Sequence, residues 1–310
     1  MTNFKSLPQL LDHYKDEKVC IAHYEKLRWN GKPICPFCKA EKPYKTNRGY
    51  KCSNNKCYKK FTCRVGTIFE NSNISFRIWF GAIYLATASK KGISSVQLAI
   101  NLDITQKTAW FVLHRVREML KGNAPAMLGG ENKVVEGDAT FIGGKETNKH
   151  YNKRVKREIE NPTPTEGKKA VIGLIERNGK VVLKYIASEN EKAMLPFINK
   201  HVPQGARIIT DEHYAYKKLG RNYVHDTINH NIKVYVSGDI HTNTIENFWS
   251  VLKRGLYGVY HQVSAKHLDK YLNEFASRFN TRQLGTEERF DTFLAQSEGR
   301  LLYKNLIAKA

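Results

Sequence analysis

Four cysteines constrain what this chain can fold into more than any other residues. They form two short-spaced pairs, Cys35-Pro36-Phe37-Cys38 and Cys52-Ser53-Asn54-Asn55-Lys56-Cys57, separated by thirteen residues. A tight turn lets each pair place two thiolates on one ion, and the segment between them can return as a hairpin to close a tetrahedral four-cysteine site for Zn²⁺. Buried free thiols at coincidental spacing are the alternative. Cys20 and Cys63 have no partner at such a spacing and read as small apolar residues. The stretch from Met1 to Lys18 lacks the apolar run of a signal peptide, so six cysteines point to metal rather than disulfides.

Lys39, Lys42, Lys45, Arg48, Lys51, Lys56, Lys59 and Lys60 crowd this module, with Tyr44, Tyr50, Tyr58 and Phe61 among them. Basic groups interleaved with aromatics suit a nucleic-acid surface, although some aromatics must simply cover the metal. The excess continues along the chain, where 51 Lys+Arg face 29 Asp+Glu for a formal charge of +22. Such a charge favours a polyanionic partner, because each neutralised phosphate releases counterions; a merely soluble basic protein or a ribosome-associated one would share it. The longest apolar stretch, Ile78 to Ala88, is far short of the ~20 residues that span a bilayer. The expected location is therefore cytoplasmic and nucleoid-associated, with no membrane partner.

Beyond Arg64-Val65-Gly66-Thr67 the pattern turns helical. A helix is predicted from about Ser75 to Ser89, a short element over Ser94 to Asn101, a break at Leu102-Asp103-Ile104, and a longer helix N-capped by Thr105. In the last, Ala109, Val112, Leu113, Val116 and Leu120 form one apolar stripe, and Lys107, Trp110, His114, Arg115 and Arg117 lie off it. Short helix, turn and basic amphipathic helix resemble a helix-turn-helix, with Lys107, Arg115 and Arg117 as its DNA contacts. Two packed helices with solvated charges would give the same pattern.

After residues 122–133, a linker with Pro125 and Gly129-Gly130, the texture becomes α/β. Val134 to Ile142 reads as a strand, Lys169 to Ile175 and Val181 to Ala187 as a hairpin turning at Asn178-Gly179, Glu191 to His201 as a helix, and Ala206 to Thr210 as another strand. Gly143 to Gly167 is a lysine-rich insertion expected to be a mobile loop. The expected organisation is thus 1–66 N-terminal segment and ribbon, 67–121 helical region, 122–133 linker, 134–285 α/β core and 286–310 C-terminal tail.

Two aspartates sit where a nuclease needs them: Asp138 inside the apolar strand and Asp211 at the end of Arg207-Ile208-Ile209-Thr210. A carboxylate there is costly to bury unless paired, hydrogen-bonded or metal-bound. An Asp at a strand end is also a common turn-former. In Asn243 to Arg254, Ile245, Phe248, Trp249 and Leu252 form an apolar stripe, while Glu246 and Lys253, two turns apart, gather on a polar side. Such a helix can press its aromatic face on a sheet and bring Glu246 to the aspartates and Lys253 to a phosphate. Standing alone, the two would read as a solvated pair.

Together these stretches resemble the insertion-sequence transposases related to the eukaryotic Merlin elements, within the DDE superfamily. The resemblance lies in the cysteine pairs, Gly66-Thr67-Ile68-Phe69, Glu136-Gly137-Asp138-Ala139-Thr140-Phe141, Thr210-Asp211-Glu212, His241-Thr242-Asn243-Thr244-Ile245-Glu246-Asn247-Phe248-Trp249, and Glu274-Phe275-Ala276-Ser277-Arg278-Phe279-Asn280. It implies an RNase H-like core behind a zinc ribbon and helix-turn-helix-like region. Asp138, Asp211 and Glu246 would be the catalytic triad, binding Mg²⁺ or Mn²⁺, with Lys253 as a further catalytic residue that, like Arg254, contacts DNA. Some relatives carry asparagine in the third position, where Asn243 and Asn247 are neighbours. The implied partner is double-stranded DNA, both terminal inverted repeats and target, bound by a homodimer or higher oligomer. The implied reaction is cleavage at the element's ends and strand transfer by two metal ions. An RNase H-like endonuclease without strand transfer, and a catalytically silent zinc-ribbon regulator, are the rival readings.

Overall fold

The computed structural model describes residues 4–123, 125, 127–154, 165–229 and 236–307. Its chain divides into two compact units, Met1–Gly122 with Thr281–Lys309, and Asn123–Asn280. The first unit begins with helices α1 (Leu7–His13) and α2 (Glu17–Trp29), each N-capped by a side chain, Ser6 and Asp16. A three-stranded antiparallel sheet follows: β1 (Tyr44–Thr46), β2 (Gly49–Lys51) and β3 (Lys60–Phe61). Helices α3 (Phe76–Ala88), α4 (Ser95–Leu102) and α5 (Gln106–Leu120) come next, capped by Ser75, Ser94 and Thr105. Their core is rich in aromatic rings, with Tyr14, Tyr24, Phe69, Phe76, Trp79 and Phe80 buried together.

The second unit is built on a five-stranded sheet of β4 (Val134–Ile142), β5 (Lys169–Glu176), β6 (Val181–Ile186), β7 (Arg207–Asp211) and β8 (Val224–Ile228). Its order is β6-β5-β4-β7-β8; β5 runs antiparallel to both neighbours, and β7 is parallel to β4 and β8. This is the RNase H-like arrangement. On one face, Ala170, Ile172 and Leu174 of β5 meet α6 (Glu191–His201) through Met194, Phe197 and Ile198. On the other, Val171 and Ile175 meet α7 (Asn243–Gly255) and α8 (Ala265–Asn280) through Ile245, Phe248, Trp249, Leu268, Leu272 and Phe275. Strand periodicity of two thus gives each face its own apolar set. No helix among the described residues is long and apolar enough to cross a membrane.

Two segments differ from the sequence expectation. Leu128, inside the expected linker, is buried in the second unit's core, and the Gly129 amide donates to Glu176 Oε2 at 2.8 Å. Residues 286–310, expected as a tail, contain α9 (Thr286–Ala295) and α10 (Tyr303–Ile307). Phe290, Phe293 and Leu294 of α9 enter the aromatic core of the first unit, because burying three large side chains outweighs leaving them in water. In the insertion, two 3₁₀ turns at Glu146–Asn148 and Tyr151–Lys153 are formed; residues 155–164 of it lie outside the described residues.

Candidate active site and metal centre

The Sγ atoms of Cys35, Cys38, Cys52 and Cys57 all lie within 4.8 Å of one another. Individual pairs are 3.9 Å (Cys35 and Cys57) and 3.4 Å (Cys38 and Cys52) apart. Four thiolates at ~2.3 Å from a tetrahedral ion require separations near these, so the set fits one Zn²⁺. The Ala40 amide draws the Cys38 thiol down to about 7, while burial pushes that of Cys52 up to about 12. Aromatics divide as their surroundings dictate: Tyr50 and Phe61 stack 5.6 Å apart against Trp29 and cover the site, whereas Tyr44 and Tyr58 face solvent. Cys20 and Cys63 are buried elsewhere, and burial pushes each thiol up to about 12.

The acidic site forms where β4, β7 and α7 meet. Register pairs Gly137 with Thr210 in the parallel ladder, so Asp138 and Asp211 are the next residues on adjacent strands. Asp138 is also paired with Gly173 of β5, over which the Trp249 indole lies. Trp249 Nε1 donates to Asp138 Oδ2 at 2.8 Å, and the Ala139 amide donates to Oδ1 at 2.8 Å. Asp211 Oδ1 accepts from the His213 amide at 3.2 Å, and Glu246 Oε1 from the Thr242 hydroxyl at 2.7 Å. Burial first, then the charges of Asp211 and Glu246, push the Asp138 carboxyl up to about 7, against the lowering bonds from Trp249 and Ala139. Carboxylate oxygens are hard donors of the kind Mg²⁺ and Mn²⁺ prefer, but among the described residues only the four cysteines set three or more ligand atoms within 4.8 Å of one another.

Asp211 and Glu246 lie near enough to Asp138 for their charges to act on it, with Lys253 half-buried and Arg254 exposed further along α7. The structure separates the expected helix-turn-helix contacts. Lys107 is exposed in the first turn of α5, but Arg115 and Arg117 are 2% and 3% exposed. Arg115 is held inward by the carbonyls of Ile68, Glu70 and Leu301 and stacks 4.5 Å over Phe111, so neither of its faces is offered to DNA. An off-stripe position is solvated only if nothing else packs there, and here segments 67–70 and 297–301 do. Sequence reasoning assigned no role to Trp249, Thr242 or His213 at the acidic site, nor to Glu189, whose Oε2 lies 4.0 Å from His213 Nε2. The aromatic stripe hid Trp249, since an indole counted as core can also donate.

Residues 127–280 match the ISXO2-like transposase domain, and residues 15–64 match the transposase zinc-ribbon domain. A curated relative, an uncharacterized protein in transposable element ISH50 of Halobacterium salinarum, is 27% identical over 283 residues, covering 87% of this chain and 92% of its own. The crystal structure of the Mos1 strand transfer complex is similar at TM-score 0.26 and 14% identity, covering 72% of this chain and 78% of that one. A pre-cleavage Mos1 transpososome gives TM-score 0.25 and 13% identity, with 67% and 75% covered; both likenesses are too slight to bear on the fold. Through its two matching regions, the chain belongs to the ISXO2-like insertion-sequence transposases, with a zinc ribbon in front of an RNase H-like DDE core.

Proposed function

We propose that this transposase cleaves DNA at insertion-sequence ends and joins them to target DNA, with Asp138, Asp211 and Glu246 as catalytic carboxylates. One observation carries the reading: adjacent strands set Asp138 beside Asp211, while α7, which bears Glu246, is bonded to Asp138 through Trp249. The three carboxylates would hold Mg²⁺ or Mn²⁺, whose charge, once bound, offsets that of the phosphate and of the attacking and leaving oxygens. Trp249 and Ala139 hold both oxygens of Asp138, and Thr242 holds Glu246, so these groups are oriented before substrate arrives. Lys253, two turns beyond Glu246, contacts a DNA phosphate, and exposed Lys107 and Arg254 add to the DNA surface. In cleavage, water oxygen bonds to phosphorus as the bond to the 3′-oxygen breaks, leaving a 3′-hydroxyl. In joining, that hydroxyl attacks a target phosphorus and displaces another 3′-oxygen.

The test uses purified full-length protein, labelled duplexes carrying the element's ends, a target plasmid and Mg²⁺. Wild type should cut and join. Asp138→Asn, Asp211→Asn and Glu246→Gln should each lose both steps by at least about 100-fold while still binding ends. Cutting without joining would leave an endonuclease, and normal joining by all three variants would remove the assignment.

A further inference from the structure

We propose that Glu136 is a positioning residue for the third carboxylate: reaching across from β4, it caps the N-terminus of α7 and so holds Glu246 at the two aspartates. This rests on the functional reading above. Glu136 lies two residues before Asp138 on the same strand, so the two side chains leave the same face of the sheet, the one covered by α7. It is fully buried, where a carboxylate persists only if its oxygens are satisfied. Oε2 accepts from the amides of Thr244 (2.9 Å) and Ile245 (3.0 Å); Oε1 accepts from the Thr244 hydroxyl (2.9 Å) and Arg177 Nε (2.7 Å).

Those two amides belong to the second and third residues of α7, the donors that an N-cap side chain normally satisfies. Thr242, at the cap position, makes no such bond. Its hydroxyl is turned instead to Glu246. With Glu136 supplying the cap from another strand, Thr242 is released to orient the third carboxylate. Arg177 extends the clamp to the approach of the helix, donating to the carbonyls of Asp239 (2.8 Å) and His241 (2.9 Å). Helix α7 is therefore pinned to β4 at two points, Glu136 to Thr244 and Ile245, and Asp138 to Trp249, and Glu246 lies between them in sequence.

Glu136→Gln keeps the shape but turns an amide N–H₂ toward a group of donors. The full chain, zinc-loaded, is titrated with Mn²⁺ alone by electron paramagnetic resonance, and joining is assayed against metal concentration. Glu136→Gln should keep zinc and DNA-end affinity, bind Mn²⁺ about 10–100-fold more weakly and shift the metal requirement for joining by a similar factor. Thr242→Val, which leaves Glu136 untouched, should weaken Mn²⁺ binding likewise, and the double variant should be no worse than the poorer single one, since both act on Glu246. Wild-type Mn²⁺ affinity in a folded Glu136→Gln protein, or additive losses in the double variant, overturns the clamp. If Glu136→Gln does not fold, wild-type Mn²⁺ affinity in Thr242→Val overturns it. A wild-type protein that never joins DNA defeats the functional reading instead, while the Mn²⁺ comparison still reads the clamp.

Discussion

Replacing Gly173 by alanine should damage the acidic site without touching any acidic residue. A Cβ at Gly173 would stand 2.5 Å from Cη2 and 2.7 Å from Cζ2 of Trp249, and 3.0 Å from Leu183 Cδ2. Carbon atoms rest at about 3.5–4.0 Å, so the indole must retreat by roughly 1 Å. It is buried and rigid, and such a shift would stretch its 2.8 Å bond to Asp138 out of hydrogen-bonding range. Overpacking costs about 1–3 kcal/mol, and a lost hydrogen bond to a charged acceptor about 1.5–3 kcal/mol. A combined loss of about 2.5–6 kcal/mol would lower the unfolding midpoint of the core by roughly 5–24 °C. Scanning calorimetry reads that shift, and joining activity should fall at least about tenfold. Trp249→Phe removes the clashing ring edge, so Gly173→Ala should cost much less in that background. A Gly173→Ala protein with wild-type stability, or one equally destabilised with and without Trp249, would refute the reasoning.

Chelating zinc, or Cys52→Ser, should unfold the β1–β3 sheet, because metal-binding energy there is folding energy; Cys20→Ser and Cys63→Ser proteins should retain zinc by elemental measurement. The folded Asp138 carboxyl titrates near 7 against an ordinary 3.8, so ionising it opposes folding. Without divalent metal, the core should therefore be most stable below about pH 4 as far as this group is concerned, and lose that share as pH rises through about 7; thermal melts in chelator should show the trend flattened by Asp138→Asn. Arg115→Ala should destabilise the protein by leaving buried carbonyls unmet, at about 1–3 kcal/mol each. Lys107→Ala should leave the melt unchanged and reduce the salt slope of DNA binding by about 1, as filter-binding titrations would show.

Periodicity made α5 and α7 legible, because each carries an apolar stripe and, for α5, a capping Thr105. The ribbon was legible from cysteine spacing alone, and the two strand aspartates from their apolar surroundings. Strand β8, Val-His-Asp-Thr-Ile over Val224–Ile228, carries no clear alternation, and only pairing with β7 makes it a strand. Arg115 was misread because a helical stripe says which side faces one neighbour and is silent about a second. Glu136 stood in plain view two residues from Asp138, yet nothing local separates a carboxylate that caps a helix from one that meets a substrate. That distinction lies more than a hundred residues away in sequence, at Thr244 and Ile245.

Helix α9 has a consequence for how this protein is made. Because Phe290, Phe293 and Leu294 supply part of the first unit's interior, that unit is interrupted in sequence by the whole of the second. On the ribosome, the ribbon and α1–α5 emerge early but await α9 for roughly 10–30 s at about 5–20 residues per second, with an apolar face unfilled. The second unit, continuous in sequence, can finish first. A nascent chain would then own a complete RNase H-like unit before it owns a complete ribbon-bearing unit, and chains halted before residue 286 should be the ones that aggregate or are degraded.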